Sequence, residues 1–285
     1  MGAPSVAFVK QYENQITMLA QQLDSRLQGC VMVDGKWTGE EKYYDQYASD
    51  TFEELTARYQ DTPVMDPDHR RRRVTPRYFV SSTLEDPTDA LQMLADPKSN
   101  YMEAKRAGAN RKIDDVIISA LGGTAYTGKT GSTSTALGSS QQILVAGAGM
   151  TKTKLISAKK LLDAAEVEKE DRYLALTAEQ LEDLLNTTEV TSSDFNTVKA
   201  LVQGELETWL GFGIKHTERL LVDGSNNRLC YAFQRRGVQL AFQKTPEGRL
   251  TERADKNYAW QVYMRLALGA TRMEEVRVVE IACDE

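Results

Sequence analysis

The chain has 285 residues, a net charge of −6, 27% charged residues and 41% hydrophobic residues, which is typical of a folded protein with one large domain or two. The negative charge argues against a nucleic-acid-binding surface over the whole chain, and the sequence contains neither a membrane-spanning apolar run nor a secretory signal. Three widely spaced cysteines and two histidines form no zinc pattern, so we expect reduced structural thiols and no metal site.

The first predicted element is an amphipathic helix over residues 6–28. Its apolar side chains recur at helical spacing on one face, beside a run of polar residues that includes several glutamines. This apolar stripe consists of Tyr12, Ile16, Leu19, Leu23 and Leu27. We expect the stripe to be buried against a partner surface.

An extended, two-armed loop is predicted next, over residues 36–84. Its first arm is rich in tyrosines and acids, and its second arm contains a basic run that leads into a strand over residues 74–82. The basic run includes Arg70, Arg71, Arg72 and Arg73. Because a lone hairpin of this length is only marginally stable in water, we expect the loop to lie on another surface.

The arginine run permits two interpretations. Arginine clusters bind nucleic acid, but they also form ion pairs, here with the acidic residues Asp50, Glu53 and Glu54 of the first arm or with an adjacent subunit. The negative net charge of the chain favours ion pairing.

The rest of the chain is predicted to have a mainly helical part, followed by a part with several strands and one helix. The helical part has a short helix around Leu91 and Leu94, a long helix from the capping pair Asn100 and Glu103 to Leu121, a strand over residues 143–146 and a helix over residues 151–166. The later part has strands over residues 173–176, 209–214, 229–233, 260–268 and 275–283, with a helix after the capping box at residues 177–180.

Residues 123–130 match the phosphate-loop pattern G-x-x-x-x-G-K-[ST] in full. That pattern binds phosphate where a strand delivers the turn and a helix begins at the lysine, here Lys129. In this chain a helical pattern precedes the motif and a Gly/Ser/Thr-rich stretch follows it. We therefore predict an ordinary surface loop rather than a nucleotide site.

Two further patterns resemble a cofactor-binding turn and a catalytic pair, but each lacks residues that such a site requires. Residues 147–152 lie between a strand and a helix but lack the third glycine of a dinucleotide-binding turn, and the acids that follow lie on the same helix. His216 and Glu218 are not accompanied by any recognisable nucleophile motif. No catalytic residue and no cofactor is expected.

In the order and spacing of several stretches, the chain resembles the major capsid proteins of tailed bacteriophages, in particular a family of such proteins from podovirus-like and prophage genomes. These stretches are residues 61–63, 91–97, 155–162, 174–180, 210–214, 253–259 and 269–272. Together they extend over nearly the whole chain, and none is a catalytic signature.

The resemblance implies an α+β fold of the Hong Kong phage type. Its parts would be an N-terminal arm (1–35), an extended β-hairpin loop (36–84), a peripheral domain (85–171) with a long spine helix at residues 151–166, an axial domain (172–255) and a return to the peripheral domain (256–285).

The resemblance also implies a virion protein that assembles in the bacterial cytoplasm into hexamers and pentamers of an icosahedral shell. The shell would enclose double-stranded DNA without sequence-specific binding and would need no membrane. Because the arm begins within a few residues of Met1, a separate scaffolding protein, or none at all, is expected, together with a portal and, in some such heads, a decoration protein. Subunit contacts are expected at Tyr12, Ile16, Leu19, Leu23, Arg70, Arg71, Arg72 and Arg73.

Two alternatives belong to other classes of protein. An encapsulin-like cellular compartment would use the same shell fold around protein cargo. A nucleotide-dependent enzyme would bind nucleotide as a monomer, which neither shell protein is expected to do.

Overall fold

A computed structural model describes residues 20–35, 37–48, 50–54, 56–62, 64, 68–85, 98–186 and 208–285. Its strands are β1 Met32–Asp34, β2 Lys42–Tyr47, β3 His69–Val74, β4 Arg77–Glu85, β5 Ala125–Thr127, β6 Thr133–Thr135, β7 Gln142–Ile143, β8 Arg172–Leu176, β9 Thr208–Trp209, β10 Phe212–His216, β11 Asn227–Gln234, β12 Val238–Arg253, β13 Ala259–Arg272 and β14 Val278–Asp284. Its helices are α1 Lys98–Gly122, α2 Lys152–Ala164 and α3 Ala178–Asn186. No helix in these ranges is long and apolar enough to span a membrane.

The described strands form three sheets. One has the order β1-β12-β13-β4, one has six strands in the order β7-β14-β11-β8-β10-β9, and one has the order β2-β3-β5-β6. Together with the three helices, these sheets make the α+β class that the resemblance implied.

The six-stranded sheet holds a large share of the buried apolar side chains. β11 and β14 pair antiparallel with Cys230 opposite Ile281, β8 and β10 pair parallel, and α2 packs against β14. The resulting core includes Leu174, Phe233 and Val279, all buried. A run of apolar residues on adjacent strands gives a sheet that must be covered, and α2 supplies part of that cover.

The chain divides into two compact units. One comprises Met1–Asp24, Tyr78–Arg111 and Pro246–Leu266, and the other comprises Ser25–Arg77, Lys112–Thr245 and Ala267–Glu285. These divisions do not coincide with the arm, loop, peripheral and axial segments expected from the sequence, and those boundaries remain a prediction. In particular, β14 lies in the same sheet as β8, β10 and β11, although residues 256–285 were expected to leave the axial segment.

Several predicted elements differ in position or kind. The described end of the N-terminal helix is not helical, because residues 20–27 are irregular and Gln28–Cys30 form a 3₁₀ turn. The long helix begins at Lys98, so the expected capping pair lies inside it. At 25 residues it is the longest described helix, whereas α2, the expected spine helix, has 13 residues, and the assignment of the spine helix remains a prediction.

Other expectations are confirmed, some with shifted ends. β8 and α3 occur where expected, and Thr177 N–H donates to Gln180 Oε1 at 3.3 Å as a capping box requires. The strand expected at 143–146 is reduced to Gln142–Ile143, and β13 continues through Gly269 instead of ending there. The short helix around Leu91 and Leu94 lies outside the described residues.

Candidate functional site

The arginine run is itself a strand, β3, flanked by β2 and β5. Arg72 is only 5% exposed. Its Nη2 donates to both carboxylate oxygens of Glu275 at 2.8 Å, and its Nε donates to Met273 O at 2.8 Å. Since a buried charge is stable only when it is paired and hydrogen-bonded, these contacts make Arg72 a structural residue of its own subunit.

The other three arginines also pair within the chain. Arg71 Nε donates to Asp45 Oδ1 at 2.5 Å, across the β2–β3 register that places the two residues opposite each other. This hydrogen bond holds the pKa of Asp45 below its ordinary value. The remaining pairs are Arg73 with Glu41 at 2.8 Å and the exposed Arg70 with Asp68 at 3.1 Å.

The arginine run forms ion pairs within the chain, but not with the expected acidic residues of the first arm, and pairing with an adjacent subunit remains a prediction. The carboxylates come from Glu41, Asp45, Asp68 and Glu275 rather than from Asp50, Glu53 and Glu54. The run consequently supplies few unpaired cations, which weakens its interpretation as a nucleic-acid-binding patch.

Arg272 is a second buried arginine, which the sequence analysis did not identify. It is fully buried, and its Nη1 donates to Leu121 O at 2.9 Å and Gly123 O at 2.7 Å, while Nη2 donates to Thr135 O at 3.2 Å. Burial lowers the pKa of its guanidinium. Arg272 thus satisfies carbonyls at the C-terminal end of α1, where a cation is favoured by the helix dipole. The only sequence signal was a basic residue at the end of an apolar strand.

The phosphate-loop motif forms the β5–β6 hairpin that follows α1. Lys129 and Thr130 are exposed in its turn, and Gly131 N–H donates to Gly128 O at 3.0 Å. Gly131 has φ +61°, and a Cβ there would lie 2.6 Å from Arg73 Cδ, so this position requires glycine. Lys129 does not begin a helix, as expected, and the arrangement that makes this motif bind phosphate is not formed.

The glycine turn at residues 147–152 is filled by a carboxylate of the chain itself. Asp183 Oδ2 accepts from Met150 N–H at 2.8 Å, and a Cβ on Gly149 would meet the same oxygen. Lys154 Nζ donates to Ala148 O at 2.6 Å and Gly149 O at 2.8 Å. Asp183 therefore lies where a phosphate would have to bind at the start of α2, which agrees with an ordinary strand-to-helix turn.

His216 and the cysteines have structural surroundings. His216 Nε2 lies 2.8 Å from Glu218 Oε1, and that same oxygen accepts from Ala178 N–H at 2.8 Å at the start of α3. All three cysteines are buried free thiols, and burial raises the pKa of Cys30 to about 11. The described part of the chain contains no cluster of three or more metal-binding side chains.

Residues of β2, β3 and the β5–β6 hairpin, together with Glu275, line an open cleft of about 610 Å³, which we call the cationic cleft. Its lining includes Arg70, Arg71, Arg72, Lys129 and the carboxylates of Asp45 and Glu275. Both carboxylates pair with arginines and Arg70 pairs with Asp68, so among the described residues Lys129 is the lining cation without a carboxylate partner.

A family model described as phage capsid protein matches residues 5–285. This chain belongs to the phage capsid protein family. Comparison of the capsid protein with curated sequences gives no significant match.

Solved capsid structures share its fold at low sequence identity. The capsid structure of cyanophage P-SCSP1u has a TM-score of 0.78 and 15% identity, over 98% of this chain and 93% of that chain. The capsid of cyanophage Pam1 has a TM-score of 0.74 and 14% identity, over 99% and 98% of the two chains. The capsid of a native GTA particle has a TM-score of 0.73 and 12% identity, over 99% and 97%. The Hong Kong phage-type capsid fold is thereby confirmed.

Large apolar side chains of the capsid protein are exposed at the connection between β2 and β3. Phe52 is 99%, Tyr59 89% and Val64 91% exposed. On β4, the exposed Tyr78 and Val80 lie two residues apart and so point to one face. Scattered exposed apolar residues are normal, but almost complete exposure of several in one segment is typical of an interaction surface.

The N-terminal stripe of the capsid protein is only partly described. Leu23 is 48% exposed, which leaves it available for a subunit contact, whereas Leu27 is fully buried in its own subunit. Asp114 holds the segment after Leu23, because its carboxylate accepts from Ser25 Oγ, Arg26 N–H and Leu27 N–H at 2.5, 3.0 and 3.1 Å. The expectation that the whole stripe contacts a neighbour was therefore wrong for Leu27. Tyr12, Ile16 and Leu19 lie outside the described residues.

Proposed function

We propose that this capsid protein is the major head protein of a tailed bacteriophage or prophage. Its copies assemble as hexamers and pentamers into an icosahedral shell around double-stranded DNA. The observation that carries the proposal is the family match over residues 5–285. Three capsid structures with the same fold, from two cyanophages and a GTA particle, support it.

The exposed surfaces also support the proposal. The segment with Phe52, Tyr59 and Val64 exposes apolar area that a protein working as a monomer would have reason to bury. In a shell built from rings, one surface of each copy meets a different surface of the next, and many such contacts add up to a stable particle. Leu23 and Arg70 are exposed, Arg71 is half-buried, and all three remain proposed contact residues, whereas Arg72 is committed to its own subunit.

The proposal includes partners of the head. A portal protein, a separate scaffolding protein and, where present, a decoration protein would bind the shell, which assembles in the bacterial cytoplasm and ends in the virion. DNA would be enclosed without sequence-specific contacts, because a chain of net charge −6 has no general affinity for phosphate. The protein would act as a structural component rather than an enzyme.

Electron cryomicroscopy of the purified protein, expressed alone and with the scaffolding protein of the same genome, tests this function. We expect closed particles of uniform size whose surfaces show rings of five and six subunits. A protein that remains monomeric under both conditions, or particles that enclose a specific protein cargo in place of DNA in the producing cell, would contradict the proposal.

A further inference from the structure

A small pocket, separate from the cationic cleft, is lined by the connection between β3 and β4, the end of α1, β5 and the end of β13. Its volume is about 150 Å³. Three arginines line it, Arg73, Arg77 and Arg272, so we call it the arginine pocket. Its hydroxyl-bearing lining residues are Thr75, Ser119, Thr124, Tyr126 and Thr271. The described lining residues all belong to one compact unit, and no carboxylate is among them.

We propose that the arginine pocket binds an inorganic tetrahedral oxyanion of the phosphate or sulfate class. The site lies within a single subunit, so the inference goes beyond the proposed shell function and does not depend on it. A bound oxyanion would join α1, β13 and the start of β4 through their side chains.

The charges of the three arginines are only partly balanced. Arg73 Nη1 donates to Glu41 Oε1 at 2.8 Å. Arg272 Nε lies 3.9 Å from Glu275, whose carboxylate already accepts two hydrogen bonds from another arginine. Arg77 is exposed and has no ion-pair partner among the described residues. An anion that enters the pocket would therefore meet positive charge that the chain has not neutralised.

The lining arginines also retain free hydrogen-bonding capacity. The buried Nε groups of Arg73 and Arg272 have no hydrogen-bond acceptor within the described structure. A buried donor without an acceptor costs free energy, and the oxygens of an oxyanion accept strong, charge-assisted bonds from guanidinium groups. The Arg73 guanidinium is oriented in advance, because its Cζ lies over the ring of Tyr126, 4.8 Å from the ring centre.

Close backbone packing fixes the shape of the arginine pocket. A Cβ on Gly269 would lie 2.5 Å from Thr75 O and 2.7 Å from Val74 Cγ1. Only glycine therefore lets β13 approach the β3–β4 connection this closely. Because β13 continues from Gly269 to Arg272, this approach sets how far the Arg272 end of the strand lies from Arg77.

The size of the pocket selects a small ligand. Its volume of about 150 Å³ equals that of roughly five water molecules at about 30 Å³ each, which accommodates one oxyanion with some water. Pockets for larger ligands begin at about 300 Å³, so a nucleotide is not expected to fit. Three guanidinium groups match the four oxygens of phosphate or sulfate better than the two oxygens of a carboxylate. Lys129 of the phosphate-loop motif is not among the described lining residues, so the two features are distinct.

Calorimetric titration of unassembled subunits with inorganic phosphate, and separately with sulfate, tests the site at constant ionic strength against chloride. We expect one saturable site per subunit. At a phosphate concentration of about ten times Kd, the Tm should be roughly 2–4 °C higher than in chloride, because a ligand that binds only the folded state stabilises it. The variant Arg77→Gln should raise Kd by at least about tenfold, since it removes charge-assisted hydrogen bonds. Its Tm in chloride should equal that of the wild type, because Arg77 is exposed and unpaired among the described residues.

The matched control is Lys129→Gln, which removes an exposed cation from the cationic cleft and should leave Kd for phosphate unchanged. The inference fails if the wild type shows no saturable binding, if Arg77→Gln binds as well as the wild type, or if Lys129→Gln abolishes binding. A short DNA duplex that binds through Arg77 while inorganic phosphate does not would assign the arginines to the DNA backbone instead. None of these results bears on particle formation, so the shell function is judged separately.

Anomalous X-ray scattering from crystals of the subunit soaked in tungstate, a heavy tetrahedral oxyanion, locates the anion directly. We expect a peak within hydrogen-bonding distance of the Arg77 guanidinium and no such peak in Arg77→Gln crystals. A peak in the cationic cleft alone would contradict the inference.

Discussion

Replacement of Glu275 by glutamine should destabilise the subunit strongly, because this one carboxylate serves two buried guanidinium groups. It accepts two hydrogen bonds from Arg72 at 2.8 Å, and its Oε1 lies 3.9 Å from Arg272 Nε. Both arginine side chains are nearly or fully buried, so a neutral amide would leave Arg72 without its counter-ion and would remove one of the carboxylates that stabilise the charge of Arg272.

The expected magnitude follows from burial. Breaking a buried ion pair from one side costs roughly 3–5 kcal/mol. Because about a quarter of the Glu275 side chain is exposed, at 26%, water screens part of the effect, and we expect about 3 kcal/mol. For a protein of this size that corresponds to a fall in Tm of roughly 6–12 °C.

Thermal unfolding of unassembled subunits, followed by circular dichroism, measures this loss. The matched control is Asp45→Asn, which removes the exposed carboxylate that pairs with Arg71 on the same strand and should leave the Tm unchanged. Equal Tm values for Glu275→Gln and the wild type would refute the reasoning, as would equal losses in Glu275→Gln and Asp45→Asn.

Three further outcomes are expected. Deletion of residues 1–19 should leave a folded subunit that no longer forms closed particles; loss of folding in gel filtration and circular dichroism would show that this segment belongs to the subunit core. Calorimetric titration with ATP should give no binding, and micromolar binding that Lys129→Ala abolishes would restore the nucleotide interpretation. The hydrogen bond from Arg172 Nη1 to Asp163 Oδ1, at 2.6 Å, lowers the pKa of the Asp163 carboxyl in the folded protein. The stabilisation by this pair is therefore complete above the unfolded-state pKa of about 3.9, and it is lost as the pH falls below that value and the carboxylate is protonated. The acid dependence of Tm should therefore weaken in Asp163→Asn, and identical profiles would count against this pair.

Local signals in the sequence predicted the elements that short-range chemistry controls. The end of α1 follows from apolar side chains at helical spacing up to Leu121 and the glycines after it. The capping box at Thr177 and Gln180 likewise predicts the start of α3, because the two residues are only three positions apart. Rejection of the phosphate-loop motif also needed only the order of neighbouring elements.

Contacts between distant residues were beyond this kind of prediction. Arg72 and Glu275 are 203 positions apart, and the sequence offers nearer acids, so the true partner of the arginine emerges only from the fold. Leu27 joins the core because Asp114, 87 positions away, binds its backbone N–H. β13 continues through Gly269 because strand pairing overrides the local preference of glycine to interrupt a strand.

Arg272, near the C-terminus of the chain, completes the hydrogen bonding of a helix end that is synthesised much earlier. Its guanidinium donates to the carbonyls of Leu121 and Gly123, about 150 positions earlier, so this helix end lacks its arginine partner until residue 272 has been synthesised. Contacts with such large sequence separation form late in folding. Chains that end before residue 272 would therefore lack the arginine that caps this end of α1.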